Sequence, residues 1–245
     1  MHEIIFLLVA LLLGLASGFI GGIASGGGLV SIPGLIFIGL PPSAAIATNS
    51  LNSVSSISSA LRFHRSSKLQ PRRMLPLLLV AFFGGVIGAK LLLYINQAIM
   101  QRAFAIASII LVATFVMNNG PHSQKRGKIH SVLGALGIFL GNVFAGLFGT
   151  GGGFFMVYIL SYLHGLSIME ANANSKIINI AGAISVIAIF IHAGVINFEA
   201  GLPMMVGSTV GGYIGAHVAL KKGEGLVKGI FLLAVLASSV KLLFG

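Results

Sequence analysis

The sequence contains no cysteine and no aspartate, and charged residues make up only 8% of its 245 residues. Without cysteine the chain has no disulfide, no thiolate nucleophile and no cysteine-based zinc or iron–sulfur site. Without aspartate it cannot be an intramembrane aspartyl protease. Four histidines near segment ends lack the HExxH spacing of a metal site, namely His64, His164, His192 and His217. The sequence therefore predicts neither an enzyme nor a metal or cofactor site.

The scarcity of charge accompanies a hydrophobic content of 56% and a mean hydropathy of +1.03. A water-soluble domain of this length would aggregate with such a composition, so the solvent must be lipid. Spans of roughly 20 residues leave room for about eight to ten segments and no separate soluble domain. The net charge of +11 comes from short loops, which indicates contact with anionic lipid headgroups rather than nucleic acid. We predict an all-α, polytopic membrane protein.

An internal repeat organises the chain. Four features recur in the same order, 125 to 127 residues apart. The matched pairs are Gly26-Gly27-Gly28 with Gly151-Gly152-Gly153, Thr48-Asn49-Ser50 with Ala173-Asn174-Ser175, Pro76 with Pro203, and segment 84–89 with segment 211–216. Duplicated halves are typical of secondary transporters. We predict two homologous repeats, residues 1–120 and 121–245.

Glycine and polar clusters divide each repeat into five apolar segments, of which the second is short. The segments are 4–23, 28–40, 43–61, 74–94 and 98–117, then 131–149, 153–165, 170–192, 201–219 and 226–244. The first of them lacks a basic leader and a cleavage motif, so it is predicted to be a span rather than a signal peptide. A short segment covers only about 20 Å, which is less than a hydrocarbon core of roughly 30 Å. Segments 28–40 and 153–165 are predicted to be half-helices or re-entrant arms.

Loop charge predicts the orientation of the two repeats. Basic residues concentrate in loops 62–73, 125–128 and 221–222, whereas loop 193–200 carries only Glu199. The positive-inside rule places the basic loops in the cytoplasm. Loops 62–73 and 193–200 are equivalent in the two repeats but then lie on opposite sides of the membrane. The repeats are therefore predicted to have inverted topology, with both termini external.

The glycine triplets are predicted to bind an anion. Each triplet precedes a short helix, whose free N–H groups and dipole favour an anion by about 0.3–2 kcal/mol. Close helix packing is the alternative reason for small residues in a membrane protein.

The third segment of each repeat opens with polar side chains that can both donate and accept hydrogen bonds, as a transported oxyanion requires. Lys176 is the one charge well inside a predicted span, and its insertion costs about 2.5–3.5 kcal/mol. It would attract a negative substrate or alternate with it by deprotonating, and snorkelling to the headgroups is the alternative. Glu170 is predicted to form a capping box with Ser167 rather than to carry protons. The predicted substrate-binding residues are Gly26, Gly27, Gly28, Asn49, Ser50, Asn52, Gly151, Gly152, Gly153, Asn174, Ser175, Lys176 and Asn179.

Several of these motifs resemble the TauE/SafE sulfite exporter family across essentially the whole chain. They are residues 21–28 with Pro33, Ala47 to Ser50, the basic loop 62–73, Ala171 to Asn179, and Gly207 to Ala216 followed by Lys221-Lys222-Gly223. The resemblance implies a secondary transporter in the cytoplasmic membrane that moves sulfite or small organosulfonates, usually outward. Leu51 stands where the second repeat has Lys176, so the site is expected to be asymmetric.

We therefore predict an inverted-repeat carrier for a small sulfur-containing anion that works by alternating access. An anion channel would share the glycine-lined site but would conduct without a conformational cycle. A non-transporting scaffold or assembly factor would need the glycines only for packing.

Overall fold

The computed structural model describes residues 2–66, 68–95, 128–149, 153–227, 229–230 and 233. The predicted segment 98–117 lies outside these residues, as do Gly151, Gly152 and most of segment 226–244. Within the described residues every regular element is helical. The helices are α1 (His2–Ala24), α2 (Gly28–Phe37), α3 (Pro42–Asn49), a 3₁₀ helix (Ser50–Val54), α4 (Ser55–His64), α5 (Pro71–Tyr94), α6 (Lys128–Phe148), α7 (Gly153–Tyr162), α8 (Ile168–His192) and α9 (Phe198–Lys222).

Three helices of the described part are long and apolar enough to cross a membrane. They cover Glu3–Ala24, Pro71–Tyr94 and Ile168–His192. The prediction of an all-α chain with apolar spans is confirmed at this level. Helices α2 and α7 have 10 residues each, about 15 Å of helix, so the expectation that they are too short to span is also confirmed.

The third segment of the first half is not one helix, as predicted for 43–61, but three pieces. A 3₁₀ turn over Ser50–Val54 separates α3 from α4, whereas α8, which covers the third predicted segment of the second half, runs unbroken for 25 residues. The Ser50 hydroxyl donates to the Ala47 carbonyl at 2.6 Å. Serine and asparagine side chains compete for the backbone in this way and disfavour a regular α-helix, which explains the interruption.

Helix packing joins elements from opposite ends of the chain. Helix α1 packs along α9, and α5 packs against α6 and α8. The α1–α9 contact depends on glycine: a Cβ on Gly22 would lie 2.5 Å from the Gly212 carbonyl oxygen. At the α5–α6 contact, a Cβ on Gly84 would lie 2.5 Å from the Phe139 carbonyl oxygen. Small residues thus let these backbones approach closely, as is usual in lipid, where dispersion contacts hold helices together.

We expect Gly211→Ala to destabilise the protein by about 1–3 kcal/mol, the usual cost of overpacking. The new Cβ would overlap the Leu15 carbonyl oxygen and lie 2.8 Å from the Phe19 amide nitrogen, so α1 and α9 would have to separate. Thermal unfolding of the purified protein in detergent measures the effect. Gly225→Ala is the matched control, because its Cβ would meet no described group within 4 Å. Equal melting temperatures for the two variants would contradict the close approach of α1 and α9.

The start of α8 carries the predicted capping box. The Ser167 hydroxyl accepts from the Glu170 amide at 3.2 Å, and the Ser167 amide donates to the Glu170 carboxylate at 3.0 Å. Two amides at the helix N-terminus, which have no partner within the helix, are satisfied reciprocally. The prediction for Glu170 is confirmed, and the capping box fixes where α8 begins relative to the polar residues that follow.

Candidate functional site

The break between α1 and α2 lies against the start of α7. Ser25 occupies the left-handed region with a φ of 58°, which is uncommon for a residue with a side chain. Its carbonyl oxygen lies 2.5 Å from the place where a Cβ on Gly153 would stand. A Cβ on Gly27 would overlap the Ser17 carbonyl oxygen, so this position also requires glycine. The structure therefore brings Ser25, which flanks the first glycine triplet, together with Gly153, the described member of the second triplet.

Side chains of α8 hold the C-terminal end of α1. The Lys176 amine donates to the Gly21 carbonyl at 2.5 Å and to the Ser25 hydroxyl at 2.6 Å. The Asn172 amide donates to the Ile23 carbonyl at 2.7 Å. Helix ends leave carbonyls without partners, and a cation is favourable there because of the helix dipole. We call these contacts the α8–α1 brace.

Lys176 is deeply buried within this brace, with 2% of its surface exposed. It does not snorkel, because its amine points at α1 rather than at the protein surface. The Ser25 hydroxyl also contacts the Asn172 side-chain oxygen at 2.8 Å and the Ser175 hydroxyl at 3.0 Å. Two of the predicted site residues, Ser175 and Lys176, thus converge on the α1–α2 break.

A second polar network surrounds Asn49 and Asn52. The Asn52 amide donates to the Asn49 side-chain oxygen at 2.9 Å and to the Ser17 hydroxyl at 3.4 Å. Ser17 donates to Ser31 at 3.2 Å, and Ser31 donates to Asn49. The Oδ1 atom of Asn52 is buried, and no group in the described part of the chain donates a hydrogen bond to it. Ser17 and Ser31 were not predicted, although each is an isolated hydroxyl in an otherwise apolar helix.

A small cavity lies between the 3₁₀ helix, α6, α8 and the start of α7. Its volume of about 30 Å³ gives room for about two water-sized groups. The polar groups along its wall belong to both halves of the chain, and the residues concerned are Ser50, Ser53, Asn142, Asn179 and the glycines Gly149, Gly153 and Gly182. Three predicted residues, Ser50, Gly153 and Asn179, therefore line this cavity. Asn142 and Ser53 were missed, and the one sequence signal for Asn142 was a lone amide in the middle of an apolar segment.

Asn174 lies elsewhere than its neighbours in sequence. Its amide donates to the backbone carbonyls of Lys68 at 3.1 Å and Glu170 at 2.8 Å. Its side-chain oxygen accepts a hydrogen bond from the backbone N–H of Gln70 at 2.8 Å. The predicted ligand Asn174 thus holds the loop before α5 and is not among the described residues that line the cavity. We call this set of contacts the Asn174 tie.

A similar contact holds the loop before α9. The Thr48 hydroxyl accepts a hydrogen bond from the backbone N–H of Asn197 at 2.9 Å, and we call this contact the Thr48 tie. Gln70 and Asn197 are the N-cap residues of α5 and α9. Each tie therefore joins a third-segment side chain in one half of the chain to the start of a fourth-segment helix in the other half.

The described residues contain no group of three or more histidine, aspartate or glutamate side chains that could hold a metal ion. The chemistry available around the cavity is that of hydroxyls, carboxamides, backbone amides and the N-terminal end of α7. Such groups bind through hydrogen bonds and partial charges that are exchanged easily, which suits a ligand that must also leave.

Comparison with known proteins places this arrangement among transporters. The model of the family described as "Sulfite exporter TauE/SafE" matches residues 10–242. A probable membrane transporter protein of Haemophilus influenzae is 31% identical over 94% of this chain and 92% of its own. The probable membrane transporter YfcA of Escherichia coli K12 is 28% identical over 98% of this chain and 93% of its own. No solved structure matches. The match over nearly the whole chain means that this multi-pass membrane protein belongs to the TauE/SafE family.

Proposed function

We propose that the protein is a secondary transporter that exports a small sulfur-containing oxyanion, sulfite or an organosulfonate, across the cytoplasmic membrane. The observation that carries the proposal is the small cavity beside Gly153, the residue of α7 that lies against Ser25 of the α1–α2 break, with serine and asparagine side chains in its wall. Irregular backbone at membrane depth is tolerated where it is buried in protein or lines a cavity. The family match supports transport, and the family description supports a sulfite-like substrate.

The groups around the cavity are suited to an oxyanion. Helix α7 begins at Gly153, so its N-terminal dipole points at the cavity and favours negative charge. Asn179 places its amide nitrogen 3.4 Å from the position of a Cβ on Gly153, close to the helix start. The Ser53 hydroxyl adds a group that can rotate to donate. The glycines of the two triplets, with Ser50, Asn179 and Lys176, are therefore proposed to form or support the binding site.

Alternating access is proposed to come from movement of residues 1–120 against residues 121–245. The reciprocal Thr48 and Asn174 ties support an inverted repeat, because each joins the third segment of one half to the fourth helix of the other. Both ties are closed here, which is the arrangement expected for a conformation that is shut to both sides. The predicted orientation would put loop 62–73 in the cytoplasm and both termini outside.

Flux of labelled sulfite into proteoliposomes tests the proposal. We expect saturable uptake that is accelerated by sulfite on the opposite side, since a carrier reorients faster when loaded. Asn179→Leu removes an amide beside the cavity at similar volume, and it should lower the rate about tenfold, the usual effect of losing one hydrogen bond. Thr209→Val is the matched control, because the Thr209 hydroxyl bonds to the Met205 carbonyl of its own helix at 2.7 Å. Flux equal to that of empty liposomes would refute transport, and unsaturable flux without acceleration would indicate a channel.

A further inference from the structure

The cavity offers hydrogen-bond acceptors as well as donors, and a bare oxyanion needs only donors. From this we infer that the transported species is a compact monoanion with its own hydrogen-bond donor, hydrogensulfite rather than the sulfite dianion. The inference rests on the proposed function and narrows the substrate class of the same cavity. A fully deprotonated dianion such as sulfate is then a poor ligand, although it has almost the same size.

Two polar side chains that line the cavity already donate hydrogen bonds to backbone carbonyls. The Ser50 hydroxyl donates its only proton to the Ala47 carbonyl at 2.6 Å, so its oxygen can only accept from a ligand. Asn142 directs its amide nitrogen to the Ile138 carbonyl at 2.8 Å. Its side-chain oxygen lies against Gly182, where a Cβ would overlap it, and Gly182 itself lines the cavity. These two oxygens would repel a dianion and would accept from the hydroxyl of a protonated oxyanion.

The charge around the cavity favours a single negative charge. None of the cavity-lining residues in the described part of the chain is cationic. The N-terminus of α7 supplies the equivalent of about half a positive charge. Lys176 is the one buried charged side chain among the described residues, and its amine is engaged with Gly21 and Ser25. A monoanion therefore keeps about half an uncompensated charge in this environment, whereas a dianion would keep about one and a half, which costs more at low dielectric.

Binding of labelled sulfite to the purified protein across neutral pH tests the inference. The total sulfite needed for half-saturation should rise about tenfold per pH unit above the second ionisation of sulfurous acid. When the same data are plotted against the concentration of hydrogensulfite alone, the concentration needed for half-saturation should be the same at every pH. Selenite serves as the second ligand, because the second ionisation of selenous acid lies at higher pH. Selenite binding should therefore begin to weaken at a higher pH than sulfite binding. If the binding of both ligands weakens at the same pH, the titrating group belongs to the protein, and the inference is overturned.

Competition and one variant complete the test. Sulfate in large excess should fail to displace sulfite from the native protein, whereas Asn142→Leu should reduce this discrimination about tenfold by removing an acceptor. Thr209→Val should retain it. If sulfate competes as well as hydrogensulfite with the native protein, the inference is wrong while the transporter proposal stands. If no sulfur oxyanion binds or is transported at any pH, the proposed function itself fails.

Discussion

Lys176→Met is expected to lower sulfite flux by about 10- to 100-fold, the range expected when a hydrogen bond from a charged group is lost. The melting temperature should stay the same or rise. Burying a lysine within the membrane costs about 2.5–3.5 kcal/mol, and none of the amine's partners in the described part of the chain is a carboxylate. Methionine has a similar length and removes that cost.

The substitution also leaves few polar groups without partners. The Gly21 carbonyl still accepts from the Ser25 amide at 2.8 Å, and the Ser25 hydroxyl still contacts Asn172 at 2.8 Å. Function and stability should therefore respond in opposite directions, which a residue with a purely structural role would not show. Lys90→Met, the same change at an exposed site on α5, is the control for both measurements. A fall in melting temperature together with flux would mean that Lys176 acts only by holding α1 in place.

Local signals in the sequence identified the parts of the site that depend on neighbouring residues. A charge inside an apolar run predicted a buried Lys176, since an exposed lysine at that depth would be too costly. The spacing Ser167 to Glu170 predicted the helix cap, and the short apolar runs after the triplets predicted α2 and α7. The contact of Ser25 with Gly153 connects residues far apart in sequence, and the duplicated triplet was the signal that pointed towards it.

The sequence prediction grouped Asn174 with Lys176, and helix geometry explains why the structure separates them. Side chains two residues apart on an α-helix are rotated by about 200° around the helix axis, so Asn174 and Lys176 leave α8 on nearly opposite sides. Asn172, Lys176 and Asn179 follow the spacing i, i+4 and i+7 and share one face. They contact the end of α1 or the cavity, whereas Asn174 contacts the loop before α5. Asn142 could not be assigned in this way, because its role depends on which helices pack against α6.

The Thr48 and Asn174 ties are expected to control opposite mouths of the cavity. Thr48→Val keeps the shape of the side chain and removes the acceptor for the Asn197 amide, so the loop before α9 should open more often. Asn174→Leu removes the contacts to Lys68 and Gln70, so the loop before α5 should open more often. Each loss of about 1–2 kcal/mol corresponds to a population shift of roughly 5- to 30-fold.

Because the chain has no cysteine, a single Ser53→Cys substitution places its only thiol in the cavity wall. The rate at which this thiol is labelled from each side measures how often each mouth of the cavity opens. An impermeant maleimide is added to right-side-out spheroplasts and to inverted vesicles, which expose opposite faces of the membrane. With the predicted orientation, Asn174→Leu should raise labelling in inverted vesicles without raising it in spheroplasts. Thr48→Val should do the reverse, and Thr209→Val should leave both rates unchanged.

The direction of the two changes distinguishes gating from simple destabilisation. A substitution that merely loosened the fold would raise labelling from both sides. When each tie closes a different mouth of one cavity, loss of one tie should raise labelling from one side only. If both variants raise labelling on the same side, the two ties are not equivalent, and the inverted repeat that relates them is wrong.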